Sequence, residues 1–109
     1  SLTVMHPEKL MGALKENKLT ANDCVGIRFP DRLVLLYYFE RAGLPWEALE
    51  KEDCTYQQGK ATRYFVVATG LRWKVQEALL PKNHPYYKEP TLLKQWGTTS
   101  LWLYKKVAR

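Results

Sequence analysis

The sequence predicts a single α+β domain, and three observations carry that prediction. Apolar residues recur at helical spacing through the first 50 residues, with Pro or Gly at the ends of the periodic stretches. From residue 54 onward, β-branched and aromatic residues gather in short runs separated by turn residues. The chain has 109 residues, and folding buries roughly two thirds of the surface of a chain this long, enough for one core and too little for two. The expected architecture is a set of N-terminal helices followed by a β-hairpin, a further helix and a C-terminal strand.

Pro7-Glu8 precedes Leu10, Met11 and Leu14 at helical spacing, with Pro in the first turn and an acid at the positive end of the helix dipole. Asn17-Lys18 closes this first helix, expected over residues 7–17. Thr20-Ala21-Asn22-Asp23 has the form of a capping box and favours a short second helix. The competing pattern is a strand, because Val25, Ile27 and Phe29 alternate with Gly26 and Arg28. Pro30-Asp31 then opens the most hydrophobic stretch, residues 31–42. Pro at its start, Arg41 in its last turn and Gly43 just beyond predict a helix. Residues 45–53 predict one or two further helical turns, with Trp46 and Leu49 inward and an acidic outer face.

The character then changes. Cys54-Thr55-Tyr56-Gln57 and Arg63-Tyr64-Phe65-Val66-Val67-Ala68 flank a Gly-containing loop and predict a β-hairpin. Leu71, Val75, Ala78 and Leu79 recur at helical spacing among good helix formers, predicting a helix that stops at Pro81; a third strand after Thr69-Gly70 is the alternative. Pro81, Pro85 and Pro90 make residues 81–91 an irregular loop. Residues 92–96 are expected as one or two helical turns before Gly97, and Ser100-Leu101-Trp102-Leu103-Tyr104-Lys105-Lys106-Val107 as a strand.

The net charge of +6 is unevenly placed: residues 1–59 sum to −2 and residues 60–109 to +8. A strongly basic half favours polyanionic partners such as nucleic acid, an anionic membrane surface or an acidic protein. The longest apolar run, residues 33–39, is far short of the ~20 residues a membrane span needs. Residues 1–6 show neither a basic nor an apolar signal-peptide region, and a start without Met reads as an expression scar or a piece excised from something longer. Cys24 and Cys54 form no C-x-x-C pair and are expected as structural thiols of a reducing compartment, which makes the cytoplasm the expected location.

Three motifs carry a resemblance. Leu14-Lys15-Glu16-Asn17-Lys18-Leu19-Thr20-Ala21 looks like the end of the first and the start of the second helix of a winged helix-turn-helix domain. Phe39-Glu40-Arg41-Ala42-Gly43-Leu44 resembles the end of that family's third helix, and Arg63-Tyr64-Phe65-Val66-Val67-Ala68-Thr69-Gly70 resembles its second wing strand. The similarity covers residues 7–80 and implies a winged-helix-like fold with a DNA-binding, transcription-regulatory role. One departure is physical: between Asp31 and Ala42 only Asp31, Arg32, Glu40 and Arg41 are charged. A recognition helix needs a polar face, whereas a helix apolar all round is expected to be buried.

The candidate nucleic-acid contacts are Arg28, Arg32, Gln58, Lys60, Arg63, Arg72 and Lys74. Trp73 beside Arg72 and Lys74, and Tyr86 and Tyr87 beside Lys88, add the mixture of cations and π-faces that suits single strands. Trp102 and the remaining aromatic residues read as packing. His6 and His84 have no partner at metal-ligand spacing, and no nucleophile-elbow, P-loop, dinucleotide or zinc-protease motif occurs, so no catalytic residue, metal or cofactor is expected. The partners expected are DNA or RNA. The alternative is a protein-interaction module or homodimer built on the apolar 33–39 helix or on an exposed C-terminal edge strand.

Overall fold

A computed structural model of the chain describes residues 4–27, 31–50 and 61–108. Helix α1 (Pro7–Glu16) begins with Pro in its first turn and Glu8 beside it, and it buries Leu10, Met11, Ala13 and Leu14 along one side. It ends where the Asn17 side-chain amide donates to the Ala13 carbonyl at 2.8 Å. Strand β1 (Cys24–Gly26) follows, so the strand pattern of this segment prevails over the helix its capping box favours. Half of that box does form: the Asp23 carboxylate accepts from the Thr20 backbone N–H at 2.8 Å. The same carboxylate also accepts from Arg63, and the backbone beyond it pairs with a neighbouring strand, which outweighs the local cap.

Helix α2 (Asp31–Ala42) ends as its sequence predicts. Gly43 takes a positive φ of 70°, and the Leu44 N–H donates back to the Phe39 carbonyl at 2.9 Å, the wrap-around bond of a glycine C-cap. Leu35 and Phe39 are fully buried, while Leu33 and Tyr37 stay 60% and 54% exposed. The expectation of a helix buried all round is thereby overturned, since α2 packs along one side only. Helix α3 (Trp46–Glu50) buries Ala48 and Leu49. Trp46 lies about 110° round the helix from that edge and is 55% exposed, not inward as expected.

The remaining elements are β2 (Arg63–Thr69), α4 (Arg72–Ala78), β3 (Thr91–Trp96) and β4 (Thr99–Lys105). They complete a four-stranded mixed sheet in the order β1-β2-β4-β3, with β1 parallel to β2 and the other pairs antiparallel. The fold class is α+β, with four helices and one mixed sheet among the described residues. Three expectations change here. Both edges of residues 64–66 are occupied, by β1 and by β4, so they are not free to pair with residues 54–57, which lie outside the described residues. Residues 92–96 belong to a strand, because Gly97, at φ 56°, opens a two-residue turn that folds β3 onto β4. Strand β4 is interior to the sheet and offers no exposed edge.

Strand alternation gives the sheet two different faces. Phe65, Val67, Leu101 and Leu103 point to the side covered by the helices, where they join Leu10, Leu14, Leu35, Phe39 and Leu49 in the main core. Tyr64, Val66, Trp102 and Tyr104 point to the other side. There they meet Tyr87 and the tail of α4 through Ala78, Leu79 and Leu80.

Candidate nucleic-acid interface

Of the seven residues singled out in the sequence, Arg32, Arg63, Arg72 and Lys74 are among the described residues. Arg28, Gln58 and Lys60 lie outside the described residues. Arg63 is committed to the fold: its Nε and Nη2 donate to the two Asp23 oxygens at 3.1 and 2.8 Å. Its Nη2 also donates to the Lys18 carbonyl at 3.2 Å, and its guanidinium carbon lies 5.0 Å from the Phe65 ring centre. Asp23 is only 1% exposed, so this bidentate pair neutralises a buried carboxylate and ties the start of β2 to the loop before β1. Arg32 is half-buried near the start of α2. Arg72 and Lys74 sit on α4, beyond the far end of the seven-residue β2, which puts them about 20 Å from Arg63 at the usual strand rise.

The structure assembles a different group on the sheet face opposite the core. Tyr64 and Tyr104 stack with centroids 5.7 Å apart, and Tyr87 lies 5.7 Å from Tyr64 and 6.1 Å from Tyr104. His84 joins at 5.6 Å from Tyr87, with its Nδ1 accepting the Tyr86 N–H at 3.1 Å. Burial pushes the Tyr87 and Tyr104 hydroxyls above their ordinary pKa; for Tyr104 the Leu80 hydrogen bond opposes that rise and nearby Glu89 adds to it. The Leu80 N–H donates to the Tyr104 hydroxyl at 2.9 Å, tying the exit of α4 to the sheet. Residues 86–88 are fastened along the end of β4, with Lys88 N–H to the Lys105 carbonyl and Val107 N–H to the Tyr86 carbonyl, both at 2.9 Å.

Between these fixed parts opens a cleft of about 270 Å³, lined by Gln76, Leu79, Lys82, Lys88, Glu89, Trp102 and Tyr104 among others. Trp102 is anchored by its indole N–H, which donates to Ser100 Oγ at 2.8 Å. Arg72 stands one turn before Gln76 on the same stripe of α4. Lys88 was legible as a cation among tyrosines, whereas Trp102 reads in the sequence as packing. Its signal is strand alternation: Leu101 and Leu103 face the core, so Trp102 faces away.

A second depression, about 490 Å³, lies between α1 and α2 over Met11, Gly12, Tyr37 and Tyr38, with Glu8, Lys15 and Arg41 among its lining. Arg41 is occupied there, donating to the Tyr37 hydroxyl at 2.8 Å and lying 5.5 Å from that ring centre. Glu8 stands there with Lys15 and Arg41, two cations to one carboxylate as in the cleft beside Trp102, but this groove lies in the half of the chain that sums to −2.

Cys24 is buried and disulfide-bonded, which corrects the expectation of a free structural thiol. The other cysteine of the sequence, Cys54, lies outside the described residues. Among the described residues, no cluster of three or more His, Cys, Asp or Glu is arranged to hold a metal ion, and no helix is long and apolar enough to cross a membrane. No family model matches this sequence, and no curated protein and no solved structure matches it.

Proposed function

We propose that this chain is a small nucleic-acid-binding or regulatory domain that uses the face formed by α4, β4 and residues 79–90. The observation that carries this reading is the cleft in which Lys82 and Lys88 accompany Trp102, with Glu89 as the one acid that lines it among the described residues. It lies within the half of the chain that sums to +8. Cations supply the salt-dependent phosphate attraction, and an aromatic side chain supplies a surface for bases. As a relation to winged-helix domains we propose only a shared order: α1, α2, then β2 and α4. The surface proposed here is not the apolar α2. A cytoplasmic location loses its sequence argument with the disulfide, since such bonds persist mainly in oxidising compartments.

A titration with labelled oligonucleotides at increasing salt tests this reading. Three phosphate contacts, from Arg72, Lys82 and Lys88, predict that log affinity falls against log salt with a slope of about −2. The double variant Lys82→Glu/Lys88→Glu changes two exposed side chains and is expected to abolish binding while leaving the fold intact. Absence of binding at low salt overturns the reading.

A second reading is favoured by the apolar stripe of Leu33, Val34 and Tyr37 on α2, with exposed Trp46 nearby in the chain. Exposed large side chains concentrated on one helix mark an interaction surface. We propose a second copy of the chain as the occupant, because antiparallel pairing of two α2 helices opposes their dipoles while covering both stripes. Light scattering that gives a monomer mass at high concentration, identical for the wild type and Tyr37→Glu, rejects it.

A further inference from the structure

We infer that the cleft beside Trp102 takes an unpaired nucleotide, with its base against the indole and its phosphates on Lys82 and Lys88. The inference rests on the nucleic-acid reading above and narrows it from polyanions in general to single strands. Three features of the site point this way.

The first is shape. A cleft of about 270 Å³ admits one splayed-out base, whereas in a duplex the base faces are covered by their neighbours and only edges and phosphates are presented. A protein that grips duplex phosphates needs cations on an open ridge and gains nothing from an indole set into a cleft. The second is rigidity. Trp102 is held by its bond to Ser100, and Tyr104, two residues along the same face, is stacked on Tyr64 and bonded to Leu80. An aromatic side chain already fixed in place loses little entropy when a base stacks on it. The third is the charge within the cleft. Glu89 lines it together with the two lysines, and a carboxylate there opposes capture of a bare phosphate ion. The ligand must therefore bring an uncharged part that gains from the apolar and aromatic walls.

The test compares one oligonucleotide as a single strand and as its duplex, at the same low salt, with the intact chain. The expected result is that the single strand quenches tryptophan fluorescence and binds at least about tenfold more tightly, which is about 1.4 kcal/mol and within the range measured for stacking of one base. Trp102→Leu keeps apolar bulk and loses the π-face. It is expected to bring the single strand down to the duplex affinity while keeping the salt dependence. Because that variant changes a packed residue, photo-crosslinking of a 5-iodouracil single strand to the unmodified protein provides an independent readout. Crosslinks are expected in the peptides that hold Trp102 or residues 86–88.

Equal affinity for duplex and single strand overturns the inference and leaves the broader reading standing. So does unchanged single-strand affinity in Trp102→Leu, or crosslinking confined to peptides outside the cleft. No binding of either form at low salt overturns both.

Discussion

The two faces of the sheet are built from different materials. Under the helices, Leu10, Leu14, Leu35, Phe39, Leu49, Phe65 and Leu101 are essentially without solvent contact and interlock as one cluster. On the opposite face, tyrosines, a tryptophan and a histidine meet over a helix of seven residues that fully buries none of its own side chains. The first face is held by non-directional burial of apolar area, which is large per residue. The second is held by ring stacking, hydrogen bonds and the disulfide at Cys24, whose neighbours include Tyr64. Directional contacts of this kind fix side chains in place without sealing the surface, and a binding face needs that combination.

The largest loss of stability is expected at Phe65. This ring is fully buried among the aliphatic residues, and Phe65→Ala is expected to cost about 3–5 kcal/mol, seen as a large drop in the urea midpoint. Val66→Ala, one residue along and on the other face, should cost clearly less. Equal losses at the two positions would show that the faces contribute alike. Reduction of the disulfide comes next. Loss of a disulfide from a small domain costs roughly 2–5 kcal/mol, so dithiothreitol should lower Tm markedly, with the tyrosine signals of the second face changing before the helical signal does.

Gly26 sharpens the contrast further. A Cβ placed there would lie 2.5 Å from the Tyr64 hydroxyl oxygen and 2.8 Å from a ring carbon, and that ring is already packed against Tyr87 and Tyr104. Gly26→Ala is expected to cost about 1–3 kcal/mol through overpacking and to disturb near-ultraviolet circular dichroism more than far-ultraviolet. The close approach of Tyr64 to Gly26 is one of the things the sequence conceals. Helices α1, α2 and α4 and strands β2 and β4 are legible in it, because each has a pattern long enough to show a period or a cap. Strand β1 is three residues long and acquires its identity from pairing with β2, 40 residues away, while its preceding Thr20-Asp23 pair imitates a helix start. Strand β3 lacks the β-branched density of a strand after Thr91, and its turn signal is the single Gly97.

The candidate site shows the same division. Arg63 and Lys88 are equally plausible cations in the sequence. Folding spends the first on buried Asp23 and leaves the second at the rim of a cleft. No local pattern distinguishes them, since Asp23 stands 40 positions from Arg63 and its need for a partner arises only from its burial. Trp102 is the converse case, an apolar residue whose position on the outward side of β4 follows from alternation with Leu101 and Leu103.

The buried tyrosines give the second face a pH dependence of its own. Tyr87 and Tyr104 hold their protons above the ordinary tyrosine value of 10.0 because burial penalises the phenolate. The folded state therefore binds more protons than the unfolded state once pH passes about 10. Their contribution to stability is complete below that value and is lost as pH rises from it through the raised folded values. Chemical denaturation repeated at rising alkaline pH, with tyrosinate absorbance followed in parallel, should show stability falling as the late-titrating tyrosines ionise. Tyrosinate formation complete near pH 10 with no delayed fraction contradicts this.

The smallest expected effect is the most selective. Tyr104→Phe removes only the oxygen that accepts the Leu80 N–H at 2.9 Å and keeps the ring stacked on Tyr64. A hydrogen bond of this type contributes about 1 kcal/mol net, and more when its loss strands a buried donor. The donor is the first residue after the short turn that ends α4, so its release should loosen the attachment of α4 to the sheet without touching the aliphatic core. Hydrogen exchange should then rise across residues 72–80 and stay unchanged in α1 and α2, because local opening follows the contacts that hold each segment. The cleft beside Trp102 shares Leu79, Leu80 and Tyr104 with that attachment, so the same variant should weaken oligonucleotide binding severalfold, at a cost in global stability of about 1 kcal/mol. If exchange instead rises uniformly through both faces, the sheet and its two coverings unfold as one unit. The hydrogen bond from Leu80 to Tyr104 then supports the whole fold and not the attachment of α4 alone.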